Sequence, residues 1–314
     1  MARILITDGL EENALESLKN MGHETVEQFF TTEELGDKLK DFDALIVRSA
    51  TKVNESVLSA ARSTGRLKLI IRAGVGVDNI DVAYAEKSGI TVANTPNASS
   101  NAVAELAMAH MFALARFTYC STAAMREGQW NKKEYEGIEL FGKTLGLIGF
   151  GRIARQTARI ARGIGMKVIY HTRSGRQEGC DDYTYVPFHE LLHTADVISL
   201  HIPYDRAQGP LIGKKEFEQM KDGVYLVNCA RGGVVCEDAL VDALDCGKVA
   251  GAAIDVFVEE PTKNERLCRH GRVSLSPHIG ASTVEAQRKI GLEIVHIIGG
   301  FFTREECIGK VRAM

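Results

Sequence analysis

One stretch constrains this chain more than any other: Thr144-Leu145-Gly146-Leu147-Ile148-Gly149-Phe150-Gly151-Arg152-Ile153-Ala154. An apolar, β-type run enters Gly149-x-Gly151-x-x-Ala154, and a helix-forming run leaves it. Strand, tight glycine turn and helix in that order make the phosphate-binding corner of a βαβ unit. Gly149 permits the turn, Gly151 lets the backbone approach a pyrophosphate, and Ala154 is small enough for close helix–strand packing. The helix then offers its unpaired N–H groups to the phosphates.

The rest of the chain repeats the alternation that such a corner requires. Its 314 residues suggest about two domains. Apolar runs at 3–7, 44–47, 67–71 and 90–92 read as strands. Helices are expected at 12–21, with Ala14, Leu15 and Leu18 on one face and Gly22 as its stop, and at 57–61. Residues 101–117 are apolar nearly all round and predict a buried helix, packed between domains or subunits. Further strands are expected at 144–150, 167–170, 197–201, 224–228, 252–255 and 273–275. The pattern predicts an α/β chain with two doubly wound parallel-sheet domains.

Several function classes are excluded. Thirty-eight basic and 41 acidic residues give a net charge of -3, so no electrostatic footprint for nucleic acid or a membrane surface exists. No apolar run reaches the roughly 18 residues a membrane helix needs. The N-terminal apolar run meets Asp8 too soon for a secretory signal. Cysteines at 120, 180, 229, 236, 246, 268 and 307 are odd in number and form no C-x-x-C pair. They read as reduced thiols of a cytoplasmic protein, and the sequons at Asn54 and Asn97 as chance matches. His189-Glu190-Leu191-Leu192-His193 matches the zinc protease pattern. Pro187 before it and the strand after Asp196 leave only a turn or two of helix, and no metal site is expected.

Three loops follow late strands: Asn228-Cys229-Ala230-Arg231-Gly232-Gly233, Asp255-Val256-Phe257-Val258-Glu259-Glu260-Pro261 and Ser276-Pro277-His278-Ile279-Gly280-Ala281-Ser282. Ligands of open parallel sheets bind outside the carboxyl ends of the strands, so an arginine, carboxylates and a histidine converge where the glycine turn places its ligand.

These segments, with Arg72-Ala73-Gly74-Val75-Gly76-Val77-Asp78-Asn79-Ile80-Asp81, resemble the D-isomer-specific 2-hydroxyacid dehydrogenase family along essentially the whole chain. The resemblance implies a flavodoxin-like substrate domain from residues 1–97 and 283–314, and a Rossmann NAD(P)-binding domain from 98–282. It implies Arg231, Glu260 and His278 as the catalytic residues. Val75, Gly76, Arg152, Ile153, Thr172, Ile202, Cys229, Ala230 and Asp255 match cofactor-contacting positions, beside Gly149 and Gly151. Gly74, Val75, Gly76, Arg231 and His278 match substrate-binding positions. A homodimer built around helix 101–117 is implied. So is the absence, past Met314, of the regulatory C-terminal domains of longer relatives.

The residue types suit the chemistry. His278 can accept the hydroxyl proton near neutral pH, Glu260 can stabilise the imidazolium, and Arg231 can hold a carboxylate and polarise a keto oxygen. Arg48, Ser49 and Thr51, in a segment similar to the phosphoglycerate-binding loop, could bind a phosphate. The resemblance thus implies 3-phosphoglycerate and 3-phosphohydroxypyruvate, in serine biosynthesis. A glyoxylate or hydroxypyruvate reductase is the alternative, and an NAD(H)-sensing, co-repressor-like binding protein is the rival from another class. Alternatively, the 47–53 segment is a plain strand-to-helix turn capped by Thr51 or Asn54. The family favours NAD through an acidic residue after the second Rossmann strand. Here Thr172 takes that position, and Arg173 and Arg176 follow, the charge arrangement expected for NADP.

Overall fold

In the computed structural model, which describes residues 1–302, the unbroken apolar runs become parallel strands covered on both faces. Two compact units form: Met1–Ser99 with the chain from Ala281 onward, and Ser100–Gly280.

The first unit alternates β1 (Arg3–Ile6), α1 (Glu12–Asn20), β2 (Glu24–Glu27), α2 (Thr32–Lys38), β3 (Ala44–Val47), α3 (Glu55–Ala61), β4 (Leu69–Arg72), α4 (Val82–Lys87) and β5 (Thr91–Asn94). All its strands pair in parallel, in the order β2-β1-β3-β4-β5, the flavodoxin-like order. Ala44, Leu45, Ile46 and Val47 are all fully buried at its centre. Strand β2 and helices α2 and α4 are additions to the sequence expectation. β2 lies at the sheet edge, with exposed glutamates at both ends and no residue buried, so it leaves no apolar run to read.

The second unit contains α5 (Ser100–Arg116), α6 (Thr118–Arg126), β6 (Thr144–Ile148), α7 (Arg152–Gly163), β7 (Lys167–His171), β8 (Thr184–Tyr185), α8 (Phe188–Thr194), β9 (Val197–Leu200), α9 (Lys214–Gln219), β10 (Val224–Asn228), α10 (Glu237–Asp245), β11 (Val249–Ile254), α11 (Glu265–Cys268) and β12 (Val273–Leu275). Its strands run in the order β12-β11-β10-β9-β6-β7-β8. The strand order reverses between β6 and β9, and a crevice opens at the carboxyl ends there. Helix α12 (Val284–Phe302) returns to the first unit, where Ile290, Ile294, Ile297 and Ile298 join Ile4, Ile6, Leu15 and Leu18 in one core.

The helix expected at 101–117 needs correction. It ends at Arg116, because Phe117 adopts a left-handed conformation (φ 56°) that starts α6. It is also not buried all round: Asn101, Glu105, Ala109, Phe112 and Arg116 form an exposed stripe at helical spacing. Two of these five are apolar, which hid the stripe. The buried face packs on the second unit's own α7, β10 and β11.

Candidate active site

The glycine turn forms as its spacing requires. Gly149 sits at φ 89°, and a Cβ there would run into the backbone of His201, so only glycine fits. Gly151 differs: it precedes α7 with no side-chain cap, and a Cβ on it would meet nothing within 4 Å. Open space therefore lies at the start of a 12-residue helix, where a pyrophosphate could accept bonds from the first N–H groups. Arg152 and Ile153 occupy that first turn, and Ala154, Ala158 and Ala161 are fully buried on the inner face.

A cavity of about 430 Å3 adjoins the turn, lined by Gly149, His171, Thr172, Arg173, Phe188, Ile202, Tyr204 and Asp205, among others. Its position at the sheet's switch point fits the adenosine half of a dinucleotide. Thr172 Oγ1 donates to the Gly175 carbonyl at 2.7 Å, and Arg173 is exposed at the cavity edge. Arg176 points elsewhere: its Nη2 meets Asp181 Oδ1 at 2.7 Å on an exposed surface. The sequence grouped the two arginines, and the structure separates them.

The three late loops meet in the same unit. His278 Nδ1 lies 2.7 Å from Glu260 Oε2. A carboxylate only accepts, so Nδ1 carries the proton and Nε2 is left as a base. Glu260 Oε1 accepts from the Phe257 N–H at 3.1 Å. Burial pushes the Glu260 carboxyl up, but the His278 bond and charge, the Phe257 N–H and the Arg231 charge outweigh it and hold the group below the usual glutamate range. Glu259 instead pairs with Lys263 at 2.9 Å. The loop sequence alone offers both carboxylates; the resemblance points to Glu260, and that is the one whose side chain meets His278.

Other side chains hold these loops in shape. Asn228, 2% exposed at the end of β10, donates to the Arg231 carbonyl at 3.0 Å and accepts from the Ala230 N–H at 3.1 Å. Gly232 lies so close to the Phe257 carbonyl that no side chain fits. Asp255, 1% exposed, accepts from Ser276 Oγ at 2.6 Å and from the backbone N–H groups of Ile279 at 2.9 Å and Gly280 at 3.0 Å. Cys229 is buried, and burial pushes its thiol up, so it stays protonated rather than nucleophilic.

In the first unit the Arg48–Thr51 loop is built from side chains far away in sequence. Asp8 accepts from the Arg48 N–H at 2.7 Å, the Thr51 N–H at 3.1 Å and Thr51 Oγ1 at 2.7 Å. Asn79 Nδ2 donates to the carbonyls of Arg48 at 2.8 Å and Thr51 at 2.7 Å. Thr51 is buried and its hydroxyl is engaged by Asp8 and Thr7, whereas Ser49 is exposed and Arg48 half-buried. Asn54, not Thr51, caps α3. Asp8 and Asn79 are the residues that sequence reasoning missed, since pairings across 28 to 43 residues have no local pattern. The Gly74–Gly76 turn is held by Asn94 Nδ2 on the Val75 carbonyl at 2.6 Å and by the Thr95 N–H on the Gly74 carbonyl at 3.0 Å.

The His-Glu-Leu-Leu-His segment lies on α8, with Leu191 and Leu192 buried and His189, Glu190 and His193 exposed. Among the described residues no cluster of three His, Cys, Asp or Glu could hold a metal, and no helix is long and apolar enough to cross a membrane.

Known proteins resemble this chain along most of its length. The profile described as D-isomer specific 2-hydroxyacid dehydrogenase, NAD binding domain, matches residues 108–280. D-3-phosphoglycerate dehydrogenase 2, chloroplastic, of Arabidopsis thaliana is 43% identical over 99% of this chain and 50% of its own length. The chain thus spans about half the length of that relative. Hydroxypyruvate reductase of Thermotoga maritima is 43% identical over 94% of this chain and 97% of its own. The crystal structure of a glyoxylate reductase from Paecilomyes thermophila superposes with a TM-score of 0.90 at 34% identity, covering 98% of both chains. A glycine turn beside an adenosine-sized cavity, a histidine–carboxylate pair under an arginine's charge, and these matches have one reading: the chain belongs to the D-isomer-specific 2-hydroxyacid dehydrogenase family.

Proposed function

We propose that the protein is an NAD(P)-dependent dehydrogenase interconverting 3-phosphoglycerate and 3-phosphohydroxypyruvate. The observation that carries the redox assignment is the His278–Glu260 pair at 2.7 Å, with Arg231 close enough for its charge to act on Glu260. In the oxidative direction His278 Nε2 takes the proton of the C2 hydroxyl while the C2 hydrogen leaves with its electron pair. A bound nicotinamide supplies the acceptor for that hydride. Glu260 stabilises the imidazolium, and Arg231 fixes the substrate carboxylate through its planar fork. Val75 and Gly76 are assigned to substrate and cofactor, and Asp255 to cofactor, by their match to the family's positions. The scattered cysteines, free among the described residues, fit a cytoplasmic enzyme. The exposed stripe of α5 with Phe112 fits a homodimer contact.

The phosphate is assigned to Arg48 and Ser49, with Thr51 shaping their loop rather than touching ligand. The engaged Thr51 hydroxyl leaves fewer phosphate donors than the segment's sequence offered. That favours a second reading, a hydroxypyruvate or glyoxylate reductase. Arg48→Ala separates the two when followed by nicotinamide absorbance. Under the first reading KM for the phosphorylated keto acid rises about tenfold or more, the worth of one charge-assisted contact, while small keto acids are unaffected. Equal effects on both classes favour the second.

A further inference from the structure

Helix α5 buries an imidazole on a face otherwise made of Ala107, Met111 and Leu114: His110 is 6% exposed. Both ring nitrogens are occupied. Nδ1 lies 3.0 Å from Ser274 Oγ, and Nε2 lies 2.9 Å from Ser276 Oγ. Ser276 Oγ in turn donates to Asp255 Oδ1 at 2.6 Å. Its proton is thereby committed, so Ser276 can only accept from His110, and the proton of the neutral ring sits on Nε2. Burial lowers the His110 pKa against the opposing pull of Asp255, which keeps the ring neutral with one donor and one acceptor, as this chain of bonds requires.

The chain ends on the catalytic loop. Asp255 holds the N–H groups of Ile279 and Gly280 through its carboxylate and the N–H of His278 through its carbonyl at 2.8 Å. Between these anchors His278 sits at φ 52°, a left-handed conformation that a non-glycine residue keeps only when its surroundings enforce it. We propose that His110 is a positioning residue: through Ser276 it fixes the Asp255 carboxylate, which holds the left-handed loop that aims His278. A leucine would fill the same space with less desolvation cost, so packing alone gives no reason for an imidazole at this position. The proposal rests on the reading of His278 as the base.

The test compares His110→Leu, His110→Gln and Ser276→Ala in the full chain. His110→Leu is expected to lower kcat about tenfold with substrate KM changed less than about twofold, the split expected when an orientation used in the transition state is lost. Ser276→Ala, which removes one oxygen, should match it, and the double variant should lose no more than either single one. His110→Gln keeps an amide donor for Ser276 and should recover most of the loss. Amide hydrogen exchange supplies a readout independent of turnover: Ile279 and Gly280 should exchange about tenfold faster, tracking a local opening rather than global unfolding, with β6 unchanged. An unchanged kcat in folded His110→Leu, or unchanged exchange at Ile279 and Gly280, overturns the proposal. If instead His278→Ala keeps its turnover, the assignment of the base fails, and the exchange result still decides whether His110 holds the loop.

Discussion

Glu260 faces His278 with one carboxylate oxygen, at 2.7 Å, and the Phe257 N–H with the other, at 3.1 Å. The carboxylate is thus fixed by backbone before it orients the ring, and the two residues act as one unit. His278→Ala is expected to reduce turnover about 100-fold or more, the scale of general acid–base catalysis, with cofactor affinity retained. Steady-state rates and cofactor titration check both halves.

Glu260→Gln keeps the shape and removes the charge. In the parent the Glu260 pKa is held below its ordinary value of 4.5. Its contribution to stability is therefore complete above that value and is lost as pH falls through the lowered folded pKa. The melting temperature of the parent should drop in that acidic window, and the Gln variant should lack this component of the drop. Melting curves taken downward from about pH 5, the upper edge of carboxylate titration, report it.

The two turn glycines separate folding from binding. Gly149→Ala should destabilise the unit, because φ 89° and the His201 backbone leave no room for a Cβ. Gly151→Val projects into open space, so the melting temperature should stay near that of the parent. Dinucleotide affinity should fall about tenfold or more, which corresponds to about 1.4 kcal/mol. Retained affinity in a folded Gly151→Val would show that the pyrophosphate does not lie there.

Cofactor choice should depend on Arg173 alone. It lines the cavity, whereas Arg176 is engaged by Asp181. Arg173→Ala should reduce the NADP-to-NAD ratio of kcat/KM about tenfold, since a charge-assisted bond contributes roughly 1.5–3 kcal/mol. Arg176→Ala should leave the ratio unchanged. An unchanged ratio in both variants would mean that neither arginine reads the 2′-phosphate.

His201 gives the fold its own acid sensitivity. Burial lowers its pKa from 6.5 to about 4, and its Nε2 meets Ser199 Oγ at 3.0 Å. Between those two values the unfolded chain binds the proton and the folded chain does not, so stability falls as pH drops from 6.5 towards 4. Urea unfolding of His201→Gln should show a flatter pH dependence across this window than the parent.

Much of this was legible in the sequence where geometry dictates residue type locally. The Gly149–Ala154 spacing, and runs such as Val197–Leu200 with all four residues buried, carry their constraint in adjacent positions. What stayed hidden depends on distant partners or exposed edges. Asp8 organises the Arg48–Thr51 loop from 40 residues away, and His110 meets Ser276 across 166 residues. Strand β2 has no buried residue to mark it. On α5 an apolar Phe112 stands on the exposed stripe, so hydrophobicity and burial disagree there.

The chain path through the two units also orders their completion during synthesis. The second unit is continuous, from Ser100 to Gly280, whereas the first is split around it. When residue 280 has left the ribosome, every strand of the seven-stranded sheet exists. The five-stranded sheet, made earlier, still lacks the four isoleucines of α12 that close its core. The unit begun first is therefore the one finished last, and until α12 arrives the β1–α1 surface it covers is exposed apolar surface, the kind through which incomplete chains misassociate.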